Sequence, residues 1–254
     1  MPGISNALAA VGEWTAFALR GIPAALQSII KPNWWLKPFY DAAIGGLPLA
    51  CVAGLSVGVV VWVHTRGVLA RTSPGAVDYL PTFLAAAVLL ELAPIAAGLI
   101  LAARTGANLS AELASMKLGE QIDAMTLIGI SPMKRLVGPR ILACLLAGPL
   151  LHVLVVVLAL GGGYVAESVA GSTTWLKYKG AVLSELRFAE VTLAGLKTVA
   201  FGFLVGVTGC FVGLKADGGS EGVGRATTQA VVASCLLVLV ADVLLVGVIR
   251  LVVG

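Results

Sequence analysis

The chain has 254 residues, of which 59% are hydrophobic and 12% charged, with a formal net charge of +4 and a mean hydropathy of +1.00. Soluble domains carry about 25% charged residues, so this composition excludes a large soluble domain, and so small a net charge calls for no nucleic-acid partner. The apolar runs are continuous and rich in Ala, Leu and Val, without the alternation of a barrel strand, and lone strands would leave backbone groups unpaired in lipid; the spans are therefore α-helical.

Residues 8–30 repeat apolar positions at three- and four-residue spacing, at Trp14, Phe17, Gly21, Ile22, Ala25 and Ile29, the stripe of an amphipathic helix. Arg20 and Gln27 fall on other faces and Pro23 bends the segment, so it is expected to lie along the membrane interface, a disordered leader being the alternative. Because the first basic residue is Arg20, no cleavable secretory signal is expected. Trp34 and Trp35 beside Lys31 and Lys37 read as an interfacial anchor. Five apolar runs follow, at about 40–63, 79–103, 136–161, 190–214 and 227–252, each long enough to cross the roughly 30 Å hydrocarbon core. With the N-terminus inside, ten basic residues (Arg20, Lys31, Lys37, Arg104, Lys117, Lys134, Arg135, Arg140, Lys215 and Arg225) face the cytoplasm. Six (Arg66, Arg71, Lys177, Lys179, Arg187 and Arg250) then lie on the opposite side. The positive-inside bias therefore predicts N-inside, C-outside.

Within the spans, glycines recur at small-xxx-small spacing, as in Gly54 and Gly58, Gly202 and Gly206, and Gly209 and Gly213. This spacing lets helices approach closely, within one chain or between subunits. Cys51, Cys144, Cys210 and Cys235 lie singly in apolar runs and read as small packing residues, and His64 and His152 are isolated, so no metal site is expected.

Between the second and third runs a charged segment is held at the membrane edge. On a helix, Ala111, Ala114, Leu118, Ile122 and Met125 share one face and Glu112, Glu120 and Asp123 the other, with Gly119 weakening the middle. The acidic face is free for a soluble partner, or is simply solvated. Ile130, Ser131 and Pro132 are expected to stop this helix. Glu91 lies deep in the second span, three residues before Pro94, where a charge faces a cavity or a partner; a hydrogen-bonded structural glutamate is the alternative. Lys197 and Asp242, in the fourth and fifth spans, are expected to pair across the bundle and fix packing, contact with a substrate headgroup being the alternative. The stretch KADGGSEGVGR, from Lys215 to Arg225, reads as a tight polar turn.

The series AELASMKLGEQIDAM and GISPMKRLVGPRILA, followed by GGSEGVGRATTQAVV at 218–232, resembles the signatures of the MlaE (YrbE) permease family, the membrane subunits of ABC-type lipid transporters of the Mla and Mce kind. The resemblance implies an all-α integral membrane protein with an interfacial helix at 1–36 and a permease domain of five transmembrane helices at 37–254. It implies a homodimer or paired permease in a bacterial inner membrane, with a lipid cavity at the dimer interface. The expected partners are a cytoplasmic ABC ATPase, a periplasmic MCE-domain protein and a STAS-domain subunit.

In such systems the segment between spans two and three is a coupling helix docking on the ATPase. That makes Glu112, Met116, Lys117, Glu120, Gln121 and Asp123 the contact residues, and Gly222, Gly224 and Arg225 an assembly or coupling loop. Similar permeases carry Arg-Glu-Leu-Gly-Pro near the cavity, where this chain has Leu90, Glu91, Leu92, Ala93 and Pro94, without the arginine and glycine. No GxxxxGK[ST] motif occurs, so the chain is expected to bind no cofactor of its own and to be no enzyme, ATP and Mg being held by the partner ATPase. The rival reading is a non-transporting scaffold that anchors an MCE-domain protein.

Overall fold

The computed structural model describes residues 2–72, 74–170, 173–185 and 187–253. These form helices and short connections, with no strand among the described residues. Helix α1 (Pro2–Ile29) is followed by a break at Ile30 and Lys31 and then by α2 (Pro32–Thr72). Helix α3 (Gly75–Leu118), the short α4 (Gln121–Leu127) and α5 (Met133–Val169) come next. Helices α6 (Trp175–Glu185), α7 (Phe188–Leu214) and α8 (Gly219–Val253) complete the chain. Among the described residues five helices, α2, α3, α5, α7 and α8, are long and apolar enough to cross a membrane, as expected. They overrun the expected edges: α2 begins at Pro32 rather than near 40, and α3 runs to Leu118 rather than ending near 103. Hydropathy marks where a helix meets hydrocarbon, whereas its backbone continues until a residue refuses the helical conformation.

Helices α3, α5 and α7 form the inner layer, with α2 and α8 flanking it. Their contacts are backbone-close. Helix α2 packs most extensively on α5, where a Cβ at Gly58 would stand 1.9 Å from the Ala159 carbonyl oxygen. On α7, a Cβ at Gly202 would meet the Cys144 carbonyl oxygen of α5 at 2.3 Å, and one at Gly213 the Ser110 carbonyl oxygen of α3 at 2.7 Å. The glycine pairs singled out in the sequence thus serve contacts within the chain. Leu84, Val88, Leu101, Leu151, Phe201 and Val205 fill the layer between α3, α5 and α7. Cys144 and Cys210 are buried, all four cysteines are free, and no group of metal ligands exists among the described residues.

Helix α1 docks on α5 and the end of α7. Trp14 Nε1 donates to Thr208 Oγ1 at 3.1 Å, Phe17 meets Phe211 edge-on at 5.5 Å, and Glu13 pairs with Lys215. Its buried stripe is Ala18, Gly21, Ala24, Ala25 and Ser28, while Ile22 and Ile29 of the expected stripe are exposed. Small residues win the buried face because α5 comes so near: a Cβ at Gly138 would stand 2.4 Å from the Ala24 carbonyl oxygen.

At the far end, α6 is an element that hydropathy does not announce. Tyr164, Trp175 and Tyr178 cluster there, and the Tyr178 hydroxyl donates to the Leu160 carbonyl at 3.0 Å. Burial, helped by the Glu167 carboxylate, pushes that hydroxyl up to about 12. Buried Glu167 accepts from Trp62 Nε1 at 2.7 Å, Thr173 Oγ1 at 2.9 Å and Arg66 at 3.2 Å, which ties α2 to α5.

Gly58→Ala is expected to destabilise the bundle by about 2 kcal/mol, because the methyl group forces α2 from α5. Gly67→Ala, on the same helix with nothing within 4 Å of its Cβ, should leave the thermal midpoint in detergent unchanged or slightly raised.

Candidate functional site

Midway along α3 the helix widens at Val88–Leu92 into a turn of i→i+5 bonds, a local form frequent at functional sites. Pro94 follows, and having no N–H it cannot serve the carbonyl of Leu90 four residues earlier. Lys197 Nζ of α7 takes over that carbonyl at 3.2 Å and reaches Glu91 Oε2 at 2.9 Å. The same ammonium pairs with Asp242 Oδ1 of α8 at 2.9 Å. The pairing of Lys197 with Asp242 is as expected. Glu91 as third member is not, because the cation that the sequence lacks beside Glu91 arrives from a residue 106 positions away. The Lys197 side chain is 3% exposed and Asp242 10%, whereas Glu91 is 44% exposed.

Glu91 opens onto a cavity of about 470 Å³ lined by Leu90, Glu190, Leu193, Lys197 and Arg250 among others. A second hollow of about 400 Å³, walled by Leu145, Leu196, Phe203 and Val248, shares Leu193, Lys197 and Ile249 with the first. Of the four residues expected at the cavity, Leu90 and Glu91 line it. Leu92 is half-buried and Pro94 buried, and neither is on the cavity wall; Pro94 contributes by freeing the Leu90 carbonyl.

The segment between α3 and α5 is two helices rather than one. Gly119 and Glu120 interrupt it, with Glu120 in the left-handed region at φ 56°, and α4 ends at Leu127, ahead of Ile130, Ser131 and Pro132. Inward and outward faces are nevertheless as expected: Ala114 and Ile122 are buried, and Glu112, Glu120, Gln121 and Asp123 exposed. Met116 packs against the core under α1. Lys117 Nζ clamps both oxygens of Asp123, at 2.9 and 3.0 Å, bridging the break. Glu112 pairs with buried Arg140 at 2.7 Å. Leu127 and Ile128, 88% and 72% exposed, were not singled out in the sequence, and Ile130, expected only to help stop the helix, is 42% exposed beside them. Their signal was a Leu-Ile-Gly-Ile run inside a charged connection, where Gly129 at φ 80° turns the chain and leaves the side chains outside.

In the loop before α8, Gly218 and Gly219 take φ 85° and 70°, and the Arg225 guanidinium lies against Gly218. Gly222 admits no side chain, since a Cβ would meet the Asp217 carbonyl oxygen at 1.8 Å, whereas Gly224 faces open space. Arg225, Gly222, Lys215 and Asp217 line a hollow of about 200 Å³.

Lys197→Met leaves two carboxylates facing each other without a counter-charge and is expected to destabilise the protein by about 3 kcal/mol. A lowered thermal midpoint in detergent checks this, with part of the loss recovered when Asp242→Asn is added.

Comparison with known proteins agrees with this architecture. The family model "Permease MlaE" matches residues 35–248. A probable ABC transporter permease protein of Rickettsia typhi is 32% identical over 225 residues, covering 87% of this chain and 86% of its own length. A probable ABC transporter permease protein of Synechocystis is 33% identical over 152 residues, 60% of this chain and 58% of the relative. The chloroplastic protein TRIGALACTOSYLDIACYLGLYCEROL 1 of Arabidopsis thaliana is 32% identical over 163 residues, 64% of this chain and 46% of the relative. With its five apolar helices and a match across most of its length, the chain belongs to the MlaE permease family and is an integral membrane permease subunit of a transporter.

Proposed function

We propose that this permease moves a lipid, driven by a cytoplasmic ABC ATPase that docks on the α3–α4 break. The observation that carries the lipid reading is the pair of hollows joined at Lys197. One has ionic walls suited to a headgroup and the other is almost wholly apolar, as an acyl chain requires. A relative named for trigalactosyldiacylglycerol, itself a lipid, supports the same substrate class.

The chain works as a homodimer or paired permease in a bacterial inner membrane, N-terminus inside and C-terminus outside. Its exposed apolar face on α8, including Leu236, Leu239, Val240 and Val243, suits contact with lipid or a second copy. A periplasmic MCE-domain protein receives or supplies the lipid, and a STAS-domain subunit sits on the ATPase. Glu120, Gln121 and the exposed tip of Leu127 and Ile128 enter the ATPase groove, while Glu112 and Arg140 brace α3 against α5 behind them. Arg225 and the glycine turn before α8 stand at the same end of the bundle. ATP and Mg are bound by the partner, whose closure favours one permease conformation by several kcal/mol, the amount a two-state shift requires.

Glu120→Lys combined with Leu127→Asp is expected to weaken ATPase co-purification at least tenfold while the permease keeps its thermal midpoint, since both side chains are exposed. In liposomes carrying the intact complex, ATP-dependent movement of fluorescent phospholipid is expected and is lost in the same variant. Retained ATPase with no lipid movement by the wild-type complex would instead identify a scaffold.

A further inference from the structure

About 20 Å along α3 from Glu91, at 1.5 Å per residue, lies a separate cavity of about 530 Å³ between α2, α3 and α5. Its basic walls are Lys37, Arg104, Arg135 and Arg140, against the carboxylates of Asp41 and Glu112. Cations therefore outnumber anions four to two. Glu112 is engaged by Arg140, and neither Lys37 nor Arg104 forms an ion pair among the described residues. Two lining groups are buried with unused hydrogen-bonding atoms. Thr105, 5% exposed, has no partner for Oγ1, and Arg140, 7% exposed, has none for Nε, among the described residues. Both residues stand in the cavity wall, and buried groups with unmet hydrogen bonds carry a desolvation penalty.

We infer that this cavity binds the phosphate of an anionic phospholipid at the membrane surface. A phosphate oxygen accepts from Arg and Thr donors together, and such charge-assisted bonds are the strong ones. Basic pockets between transmembrane helices are a recurrent way to hold anionic headgroups. The depth fits: Trp34 lines the cavity, with Lys31 Nζ 4.2 Å and the Arg135 guanidinium 4.3 Å from its ring, the company tryptophan keeps at the headgroup level. The same walls carry exposed Tyr40 and Ile44, apolar surface for which a glycerol backbone and the first acyl methylenes have a use and free phosphate has none. The site stands apart from Lys197 and does not depend on the transport reading; it anchors α2 and α3 to the leaflet beside α4.

The test is native mass spectrometry of the full-length chain released from nanodiscs of mixed phosphatidylcholine and phosphatidylglycerol. The wild type is expected to retain phosphatidylglycerol in preference to phosphatidylcholine. Lys37→Gln with Arg104→Gln, two exposed residues whose loss leaves no buried charge unpaired, should reduce that preference about tenfold. Lys37→Arg with Arg104→Lys should keep it, and so should Lys177→Gln at the opposite end. Equal retention of both lipids by the wild type, or a preference unchanged in the double glutamine variant, overturns the site. Displacement of phosphatidylglycerol by inorganic phosphate overturns the lipid assignment and makes the free anion the ligand. Unchanged lipid preference with loss of the co-purifying ATPase gives the cavity to an acidic protein segment and also overturns the proposal.

Discussion

Lipid offers helices neither water to satisfy a polar group nor a hydrophobic drive to associate, and the molecule is organised by that lack. Where α2, α5 and α7 meet, the contact is made backbone to backbone through Gly58 and Gly202, whose missing side chains leave room for the carbonyl oxygens of Ala159 and Cys144. Packing this close gathers many small dispersion contacts. It also fixes the helices rigidly enough to hold three charges from three different spans within bonding distance of one another.

Those charges are arranged to be mutually necessary. Lys197 alone would be intolerable at its burial, as would Asp242, and the ammonium answers both carboxylates while occupying the carbonyl that Pro94 leaves unserved. The widened turn around Glu91 puts that carboxylate at the cavity edge rather than inside the packed layer. One helix thus carries an ionic cluster beside an apolar hollow midway along its length, a basic cavity nearer its C-terminal end, and, past Leu118, the break that leads into α4. The Glu112–Arg140 pair joins α3 to α5 just ahead of that break.

The two ends of the bundle are braced differently. At the end bearing α4, α1 lies across α5 and is latched to α7 by Trp14 and Glu13, and the glycine turn before α8 holds Arg225 against it. At the other end, buried Glu167 gathers donors from Trp62, Arg66 and Thr173, and the aromatic cluster of α6 closes over Leu160. Charged loops therefore rest on ordered structure at both ends.

The five spans, the inward face of Ala114 and Ile122, and the pairing of Lys197 with Asp242 were all legible in the amino-acid order. Hydropathy and helical periodicity are local properties, and two opposite charges sunk in oily runs have few alternatives to each other. Three features were not legible: the approach of Lys197 to Glu91, the helix α6, and the left-handed residue at Glu120 where Gly119 had seemed the weak point. Each depends on neighbours distant in sequence or on a backbone choice that no side-chain pattern encodes. The sequence alone determined what must be buried in lipid and at which depth charge would sit. The tertiary structure decided which helices touch and so which charges meet, because in a bundle packed through glycines the partner of a buried ion is set by the angle at which two backbones cross.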